Sequence, residues 1–378
     1  MNTALATTQF LQPSAVWIYR QMSNEYINHT LVITNKRVND NVYDHSNIIV
    51  LKQKTGFRHI VDILKRKYAF LDSIRFSKLN RTLVTQSLVE NKIELLHIHF
   101  GTYAVFFIDI CKELNIPFVV TFHGFDITSA VGRWPLYKKK LSSLFKSMSI
   151  GLVISEEMKI RLIQLGCPEE KVSVSYLGVP IDQFKPIDRS GRDGIRFLHA
   201  GRLTEKKGVK SLIRCFTKAF RGQEEISLII AGDGELKESL IHLVSELDMN
   251  SQVSFIGNLS QKDLTQAYSN SDVFVLNSRT DSNGTKEGLP IGILEASASS
   301  LPIISTYHAG IPESVIHHET GLLVEEYDDE GLILALKKML DPKLRQKYGV
   351  AGRKFMEEKF SLQNCNRVLS MHYADSLK

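Results

Sequence analysis

The stretch that decides the fold of this chain is Phe197-Leu-His-Ala-Gly-Arg-Leu-Thr-Glu-Lys-Lys-Gly208. It begins as a short apolar run, turns at a glycine and leads into a helical pattern at 209–220. A strand, a glycine turn and a helix in this order are typical of a parallel α/β unit, in which the carboxyl end of the strand opens onto a ligand crevice. A charged surface turn has a similar composition, so further segments are needed to choose between the two interpretations.

The same alternation of short β-branched runs and longer helical patterns extends along the whole chain. It predicts an α/β protein with two doubly wound, Rossmann-like domains facing a central cleft. The predicted strands lie at 31–34, 48–51, 95–99, 118–121, 150–154, 172–174, 195–200, 227–231, 253–256, 273–276 and 302–305. The predicted helices include 104–114, 156–165, 209–220, 236–247, 264–269 and 291–298. Residues 3–10 alternate only weakly, so an N-terminal strand is poorly defined.

The length of 378 residues makes two domains the natural expectation. Residues 180–194 are rich in turn formers and charge, which predicts an interdomain linker there. We therefore expect an N-terminal domain at 1–186, a C-terminal domain at 187–360 and a final helix at 361–378.

The composition is that of a folded soluble protein, with 43% hydrophobic and 23% charged residues. No apolar run approaches the roughly 18 residues that would span a bilayer, and the N-terminus lacks the pattern of a signal peptide. Cys111, Cys167, Cys215 and Cys365 lie far apart, without metal or redox spacing. A reduced, cytoplasmic setting is the simplest interpretation.

The formal net charge of +6 is unevenly distributed. Residues 52–81 hold nine basic residues and two acidic ones, interleaved with apolar residues. Such a mixture is typical of an amphipathic basic surface that could rest on anionic lipid, although an ordinary solvated helix face has the same pattern. No nucleic-acid-binding module accompanies the charge, so we do not expect a nucleic-acid partner.

A second informative segment is Glu287-Gly-Leu-Pro-Ile-Gly-Ile-Leu-Glu295. Proline is favoured at the start of a helix, so Pro290 predicts a helix that has Glu287 in the preceding loop and Glu295 in its second turn. Free backbone N–H groups at this turn would form an anion site, and they would belong to Gly288, Leu289 and Ile291. Two carboxylates beside an anion site suit a ligand that is part phosphate and part polyol, such as a sugar nucleotide. An ordinary solvated helix start is the alternative.

Basic residues follow the strand that the opening stretch predicts. Gly201 permits a tight turn and a close backbone approach, while Arg202 and Lys207 leave the strand end toward the crevice. A guanidinium and an ammonium are suited to a diphosphate leaving group, on which negative charge builds. A second turn with Gly232 also follows a strand, but alone it is weak support.

Histidines end two predicted strands of the first half. His123 follows the strand at 118–121 and is placed to reach into the crevice, although it could equally be a packing residue. His97 and His99 end the preceding strand and point to one face. We expect no metal there, because no third ligand with suitable spacing is present.

Together these segments resemble the family 4 retaining glycosyltransferases with the GT-B fold, over nearly the whole chain from about residue 97. Within that family the chain is most similar to bacterial enzymes of exopolysaccharide assembly, especially the colanic-acid type. The motifs that carry the resemblance are the 201–208 loop, the Glu287 and Glu295 pair, His123-Gly-Phe-Asp126, Gly178-Val-Pro-Ile-Asp-Gln-Phe-Lys-Pro186 and Gly310-Ile-Pro-Glu313. The N-terminus departs from the family pattern, because residues 10–17 replace its usual Gly-Gly loop.

The resemblance implies a role for each matching residue. Arg202 and Lys207 would hold the donor diphosphate, Glu295 the ribose, and Glu287 the donor sugar, while His123 would approach the reacting carbon. The remaining donor-binding positions would be Gly201, Gly232, Gly288, Leu289 and Pro290. The family retains the anomeric configuration without a metal, and Asp281-Ser-Asn283 here lacks the second aspartate of a metal-binding motif.

The expected protein is thus a cytoplasmic retaining glycosyltransferase without a cofactor, which the basic region at 52–81 could attach peripherally to the inner face of the cell membrane. Its donor would be a nucleoside diphosphate sugar and its acceptor a lipid-linked or other glycan of bacterial surface polysaccharide biosynthesis. The N-terminal domain would bind the acceptor, the C-terminal domain the donor, and the final helix would cross back to the N-terminal domain. The alternatives are a sugar-nucleotide epimerase of similar fold and a non-catalytic nucleotide-sugar binding subunit.

Overall fold

The computed structural model describes residues 1–10, 16–22, 25–38, 47–51, 76–187, 189 and 191–378. The chain forms two compact units. Unit 1 joins Met1–Tyr176 to Cys365–Lys378, and unit 2 consists of Leu177–Asn364. The two units thus divide at Tyr176, before the sequence-based boundary at 186, and the last residues of the chain belong with the first unit.

Unit 1 contains a seven-stranded parallel sheet of order β3-β2-β1-β4-β5-β6-β7. Its strands are β1 Thr3–Thr7, β2 His29–Thr34, β3 Ile48–Val50, β4 Leu95–His99, β5 Phe118–Phe122, β6 Ile150–Val153 and β7 Val172–Val174. Its described helices are α1 Val16–Met22, α2 Lys78–Glu90, α3 Gly101–Ala104, α4 Ile108–Leu114, α5 Ser129–Arg133, α6 Pro135–Ser147 and α7 Glu156–Gln164.

The strand that the sequence left poorly defined, β1, lies at the centre of this sheet. All five of its residues are buried, and it pairs in parallel with β2 on one side and β4 on the other. A central strand covered on both faces has no solvent side and therefore no alternation. The weak alternation of residues 3–10 was thus the mark of a fully buried strand.

The helix predicted at 104–114 is two helices, α3 and α4. Between them Phe106 and Phe107 donate their N–H groups to the carbonyls of Tyr103 and Ala104, three residues back. This tighter turn breaks the helical ladder without a glycine or proline, so no breaker residue marks it in the sequence.

Unit 2 contains a six-stranded parallel sheet of order β10-β9-β8-β11-β12-β13. Its strands are β8 Ile195–Ala200, β9 Ile226–Ala231, β10 Val253–Gly257, β11 Val273–Leu276, β12 Ile303–Thr306 and β13 Gly321–Val324. Its helices are α8 Val209–Phe220, α9 Lys237–Glu246, α10 Gln261–Asn270, α11 Ile291–Ala298, α12 Asp329–Lys338 and α13 Pro342–Lys359. A last helix, α14 at Leu362–Ser376, lies for the most part in unit 1.

The prediction of two parallel, Rossmann-like α/β domains is confirmed. Strands β4, β7, β8 and β11 and helices α8 and α11 have the bounds that the sequence predicted. The core of unit 2 is organised around the buried face of α8, where Phe216 and Phe220 pack edge-on and stacked against Phe197 of β8. Phe216 and Phe220 lie in the last turns of α8, so this packing fixes that end of the helix against β8.

Two arginines bond the segment at 180–194, which the sequence predicts as a linker, to the rest of unit 2. The Arg189 guanidinium donates to the carbonyls of Ser271 at 2.7 Å and Ser299 at 2.9 Å. Arg353 of α13 donates to the carbonyls of Phe184 and Ala298. The segment is therefore bonded along its length to the body of unit 2, in place of the loose connection that its composition suggested.

Candidate functional site

The turns that follow β8 and β9 interlock through their backbones. The Leu203 amide donates to the Asp233 carbonyl at 2.9 Å. Gly232 has a φ of +138°, and a Cβ at this position would lie 1.9 Å from the carbonyl oxygen of Gly201. Only glycine fits such an approach, so Gly201 and Gly232 occupy one rigid double turn at the carboxyl ends of neighbouring strands.

A short 3₁₀ turn, Glu205–Lys207, ends at Gly208 and directs its lysines toward Glu287. The Lys207 ammonium lies 3.0 Å from the Glu287 carboxylate, and the Lys206 ammonium lies 3.5 Å from the same oxygen. Gly208 has a φ of +63°, and a Cβ there would lie 2.0 Å from the Asn277 carbonyl. The structure therefore brings together Lys207 and Glu287, two predicted site residues that are distant in sequence.

The Glu287 carboxylate is charged although its side chain is only 9% exposed. Burial by itself would raise its pKa, but Lys207 and Lys206 outweigh burial and lower the pKa to about 2. A buried carboxylate held between two ammonium groups carries a compensated charge, which avoids the large cost of an unpaired buried ion.

Positive charge exceeds negative charge at this point. Burial lowers the pKa of Lys206, Glu287 raises it, and the neighbouring charges of Lys207 and Arg202 lower it again. The Arg202 side chain itself is exposed, and no ion pair or hydrogen bond of its guanidinium occurs within the described residues. Two cations thus contact one carboxylate and Arg202 adds a third positive charge near Lys206, so a ligand with negative charge would complete the balance.

The segment between Glu287 and α11 is held from the following loop. The Gly310 amide donates to the Gly288 carbonyl at 3.1 Å. Pro290 is extended, with a ψ of 110°, and precedes α11, which begins at Ile291 as predicted. A Cβ on Gly292 would lie 3.6 Å from the Ala200 carbonyl, so the start of α11 lies against the end of β8. The first-turn amides of Gly288, Leu289 and Ile291 have no backbone acceptor in the described residues.

Glu295 lies in the second turn of α11, as predicted, and its side chain is buried. The Tyr268 hydroxyl donates to one carboxylate oxygen and the Gln261 amide to the other, both at 3.3 Å. These partners belong to α10, so Glu295 joins α11 to α10 across the sheet end. No contact joins Glu295 to Glu287 directly in the described structure.

His123 lies in unit 1, at the carboxyl end of β5. Its Nε2 lies 3.0 Å from Nδ1 of His99, and its ring packs against Trp17 with centroids 4.4 Å apart. Asp126 accepts from the His123 amide at 2.9 Å and from the Gly101 amide at 2.8 Å. Burial raises the pKa of Asp126 to about 6 despite these bonds. The carboxyl group therefore fixes the ends of β4 and β5 around the histidine.

The histidines of this sheet end are neutral. Burial lowers the pKa of His123 to about 3, and it lowers the pKa values of His97 and His99 well below their ordinary value. His97 bonds to Thr121 at 2.7 Å and to Tyr373 at 2.5 Å. In the part of the chain that the structure covers, no group of three or more His, Cys, Asp or Glu side chains is placed to hold a metal ion.

Sequence reasoning missed three residues that build the site. Lys206 was passed over beside Lys207, although both belong to one Glu-Lys-Lys run. His308 accepts from the Glu287 amide at 3.0 Å and contacts Glu326 at 2.6 Å. In the sequence, only its position just before the Gly310-Ile-Pro-Glu313 motif could have indicated a role for His308. No sequence pattern indicated a role for Glu326.

The basic region at 52–81 lies largely outside the described residues. Its last part begins α2, where Arg81 forms an ion pair with Glu113 at 2.5 Å. Among the helices that the structure describes, none combines the length and the apolar character needed to span a membrane.

Two parallel Rossmann-like sheets with glycine turns at their carboxyl ends define the GT-B class of folds. Solved structures of this class superpose on the whole chain. Anabaena HepE, solved in complex with UDP, matches with a TM-score of 0.81 and 17% identity, covering 99% of this chain and 100% of that one. The lipopolysaccharide outer core galactosyltransferase WaaB matches with a TM-score of 0.72 and 16% identity, covering 99% and 100%. At these identities the likeness establishes the fold alone.

Sequence comparison identifies the family. Residues 32–183 match the model of Glycosyltransferase Family 4, and residues 181–355 match that of Glycosyl transferases group 1. The putative colanic acid biosynthesis glycosyltransferase WcaL of Escherichia coli is 31% identical over 72% of this chain and 68% of its own length. The amylovoran biosynthesis glycosyltransferase AmsK of Erwinia amylovora is 32% identical over 65% of this chain and 61% of its own length. The chain belongs to the family 4 glycosyltransferases, and its relatives include enzymes named for exopolysaccharide biosynthesis.

Proposed function

We propose that this protein transfers a sugar, with retention of anomeric configuration, from a nucleoside diphosphate sugar to a glycan acceptor of bacterial surface polysaccharide biosynthesis. The observation that carries the proposal is the contact between Lys207 and Glu287 at 3.0 Å. It joins the loop after β8 to the loop before α11, so a cation for the diphosphate and a carboxylate for a sugar lie at one point.

The roles of the donor-side residues follow from charge and position. Lys207 and Arg202 stabilise the diphosphate as it leaves with increasing negative charge. The amides of Gly288 and Leu289 and the start of α11 add partial positive charge beside it. Glu287 accepts hydrogen bonds from hydroxyls of the donor sugar. In the proposed complex the remaining contacts come from Gly201, Gly232 and Pro290.

Glu295 is proposed to bind the ribose of the donor. Both of its carboxylate oxygens already accept bonds, from Tyr268 and Gln261 at 3.3 Å. A carboxylate accepts hydrogen bonds only, which suits the two donor hydroxyls of a ribose.

His123 is proposed to contact the donor sugar near the reacting carbon. Because its pKa is lowered to about 3, the ring is neutral at physiological pH and acts as a hydrogen-bonding group without adding charge. The acceptor is proposed to be a lipid-linked glycan, in line with the exopolysaccharide names of its relatives.

The test is a transfer and donor-hydrolysis assay on Glu287→Ala, Arg202→Ala and Lys207→Ala. We expect large losses of turnover with an unchanged thermal unfolding profile. Candidate donors are first ranked with a panel of UDP-, GDP- and ADP-sugars, because a ligand that binds the native state raises its stability. Wild-type turnover in all three variants would reject the site assignment.

Two other functions are separated by the same assays. A sugar-nucleotide epimerase would convert the donor without an acceptor, and product analysis of that reaction detects it. A non-catalytic subunit would bind the donor by calorimetry and transfer nothing. The juxtaposition of Lys207 and Glu287 favours transfer, since an ammonium at the diphosphate and a carboxylate at the sugar serve the departure of the diphosphate.

Peripheral attachment to anionic lipid through residues 52–81 is a separate part of the proposal. Neutralising Lys65, Arg66 and Lys67 together should then reduce binding to vesicles that contain phosphatidylglycerol. Unchanged binding would remove the membrane contact and leave the enzymatic proposal as it stands.

A further inference from the structure

The main chain of Glu287 is held by a side chain from another loop. Its N–H donates to Nε2 of His308 at 3.0 Å. His308 follows β12, its ring is fully buried, and it stands 21 positions further along the chain. The residue proposed to bind the donor sugar is therefore anchored at its backbone as well as through its carboxylate.

The bond to Glu287 determines the tautomer of His308. A backbone amide can only donate, so Nε2 must carry the lone pair and the ring proton must lie on Nδ1. Nδ1 in turn faces the Glu326 carboxylate at 2.6 Å. Each nitrogen of the neutral ring thus has one suitable partner, and the carboxylate selects the tautomer that can receive the Glu287 amide.

Glu326 also holds the beginning of the loop that carries Glu287. It accepts from the Thr280 amide at 2.7 Å and from the Thr280 hydroxyl at 3.4 Å. Burial alone would raise the pKa of Glu326, but the Thr280 and His308 bonds lower it below its ordinary value. The neighbouring Tyr327 hydroxyl donates to the Thr280 carbonyl. The carboxylate is thus a charged acceptor shared by two loops.

These bonds form a brace across the loops that follow β11, β12 and β13. Thr280 and Glu287 lie at the two ends of the loop after β11. Glu326 bonds to Thr280 at one end, and His308 bonds to Glu287 at the other. The middle of that loop, at Ser282, Asn283 and Gly284, is exposed. Apart from the brace, the Glu287 end of the loop is held by the bond from the Gly310 amide to the Gly288 carbonyl and by the ion pairs of the Glu287 carboxylate.

We propose that Glu326 and His308 are positioning residues that set the Glu287 main chain for the donor sugar. This inference rests on the proposed function of Glu287 and adds two residues that touch neither sugar nor diphosphate. They act through geometry, because a carboxylate displaced by a fraction of an ångström loses the alignment that a transition state requires.

The chain offers informative replacements for His308. Glutamine places an acceptor near the position of Nε2 and can still receive the Glu287 amide, whereas asparagine reaches only the position of Nδ1 and leaves that amide unpaired. Leucine removes both functions at similar volume. The matched control is His317→Leu, since Nδ1 of His317 accepts the Leu323 amide at 2.9 Å in the same part of unit 2 without contacting Glu287.

The first measurement follows structure without activity. Amide hydrogen exchange of the 280–290 peptide should be about tenfold faster or more in His308→Leu than in the wild type, and nearly unchanged in His317→Leu. His308→Gln should stay close to the wild type. Equal exchange in His308→Leu and His317→Leu would overturn the brace.

The second measurement follows ligand binding with chemically defined probes. Thermal shifts are recorded with UDP, GDP and ADP and with UDP-glucose, GDP-mannose and ADP-glucose. For the pair that stabilises the wild type, His308→Leu and Glu326→Gln should keep the shift given by the nucleoside diphosphate and lose the additional shift given by the sugar. Loss of both shifts, or of neither, contradicts a role through Glu287.

The third measurement is a double-mutant cycle in the transfer assay. His308→Leu should lower kcat/KM by about 10- to 100-fold, and His308→Gln should recover most of it while His308→Asn should not. In a Glu287→Ala background, His308→Leu should add almost nothing. An additive loss would overturn the proposal. Wild-type turnover of Glu287→Ala by itself would instead reject the proposed function, so the two failures are told apart.

If His308→Leu does not fold, the decision passes to the other two replacements, which preserve polarity at the site. His308→Gln must then exceed His308→Asn in kcat/KM. Equal values would overturn the proposal.

Discussion

The two sheets present opposite chemistry at their carboxyl ends. In unit 2, the ammonium groups of Lys206 and Lys207 both lie within 3.5 Å of one oxygen of the Glu287 carboxylate. In unit 1, burial holds His99 and His123 neutral. A charged site can compensate a diphosphate, whereas a neutral polar site can bond to hydroxyls without changing the charge of a ligand. The contrast supports the proposal that unit 2 binds the phosphate groups of the donor.

The largest effect that tests this contrast is expected from Lys207→Ala. Removing the ammonium should lower kcat/KM by about 10²- to 10³-fold, the usual consequence of losing a group that stabilises developing charge. The fold should survive, because Lys206 stays 3.5 Å from the Glu287 carboxylate. Steady-state kinetics with the best donor provides the measurement. Lys210→Ala, an exposed lysine on α8, is the control and should change kcat/KM less than twofold.

The second effect concerns the rigid turns of unit 2. Gly232→Ala should destabilise the protein by about 3 kcal/mol, because the new Cβ meets the Gly201 carbonyl in a backbone conformation that alanine rarely adopts. Urea unfolding measures the change. Gly222→Ala is the matched control, since Gly222 has a φ of +79° but open space around it, and should cost only about 1 kcal/mol. Equal costs would show that the interlocked turns add nothing.

The third prediction separates the two units by pH. Below pH 6.5 the histidines are protonated in the unfolded chain, whereas the buried histidines of unit 1 stay neutral in the folded protein. The free energy of unfolding therefore decreases as the pH is lowered, by about 2 kcal/mol for His123 at pH 5. Asp126, whose pKa is raised to about 6, offsets part of this loss by taking up a proton in the folded state. In unit 2, His199 alone shows a comparably lowered pKa, to about 4.

Glu287 contributes in a lower window. Its pKa of about 2 in the folded state means that its stabilising contribution is complete above its ordinary value of 4.5 and is lost as pH falls from there toward 2. Hydrogen exchange at pH 7, 5 and 4 should therefore show the unit 1 sheet loosening first. Loosening of unit 2 first would reverse the assignment of neutral and charged sites.

The smallest effect is expected from Tyr373→Phe in α14. The Tyr373 hydroxyl lies 2.5 Å from Nδ1 of His97 and 3.4 Å from Nε2 of His29, so its removal takes a buried hydrogen-bond partner from His97 and should cost about 1 to 2 kcal/mol. Tyr348→Phe in unit 2 is the control, because that side chain is buried to a similar degree. Chemical denaturation measures the free energy of unfolding of both variants. Equal decreases would show that the Tyr373 hydroxyl contributes no more to stability than the Tyr348 hydroxyl.

The charged residues of unit 2 were accessible from sequence because charge next to a strand end is visible in a linear pattern. Lys207 and Glu287 could each be proposed from a turn and a helix start. Their contact could not, since it depends on the order of β8 and β11 in the sheet. His308 and Glu326 were missed for the same reason: they act through loops that only the fold brings together.

The strand and the neutral histidines of unit 1 were harder to predict. β1 is buried on both faces, so the alternation that usually marks a strand was absent. His97 and His99 invited a metal interpretation by their spacing, but the fold gives them Thr121, Tyr373 and His123 as partners. Periodicity identifies which segments are regular, whereas partners across a sheet are set by strand order and by a helix from the other end of the chain.

The interlocked turns at Gly201 and Gly232 have an evolutionary consequence. Because the backbone of the Gly201 turn occupies the space where side chains at Gly232 and Gly234 would begin, the Gly232 turn cannot gain a side chain at either position by itself. Diversification of this scaffold is therefore expected elsewhere, and the exposed residues 282–284 between Thr280 and Glu287 are candidate positions for it. A lineage could vary that loop while inheriting both glycine turns unaltered.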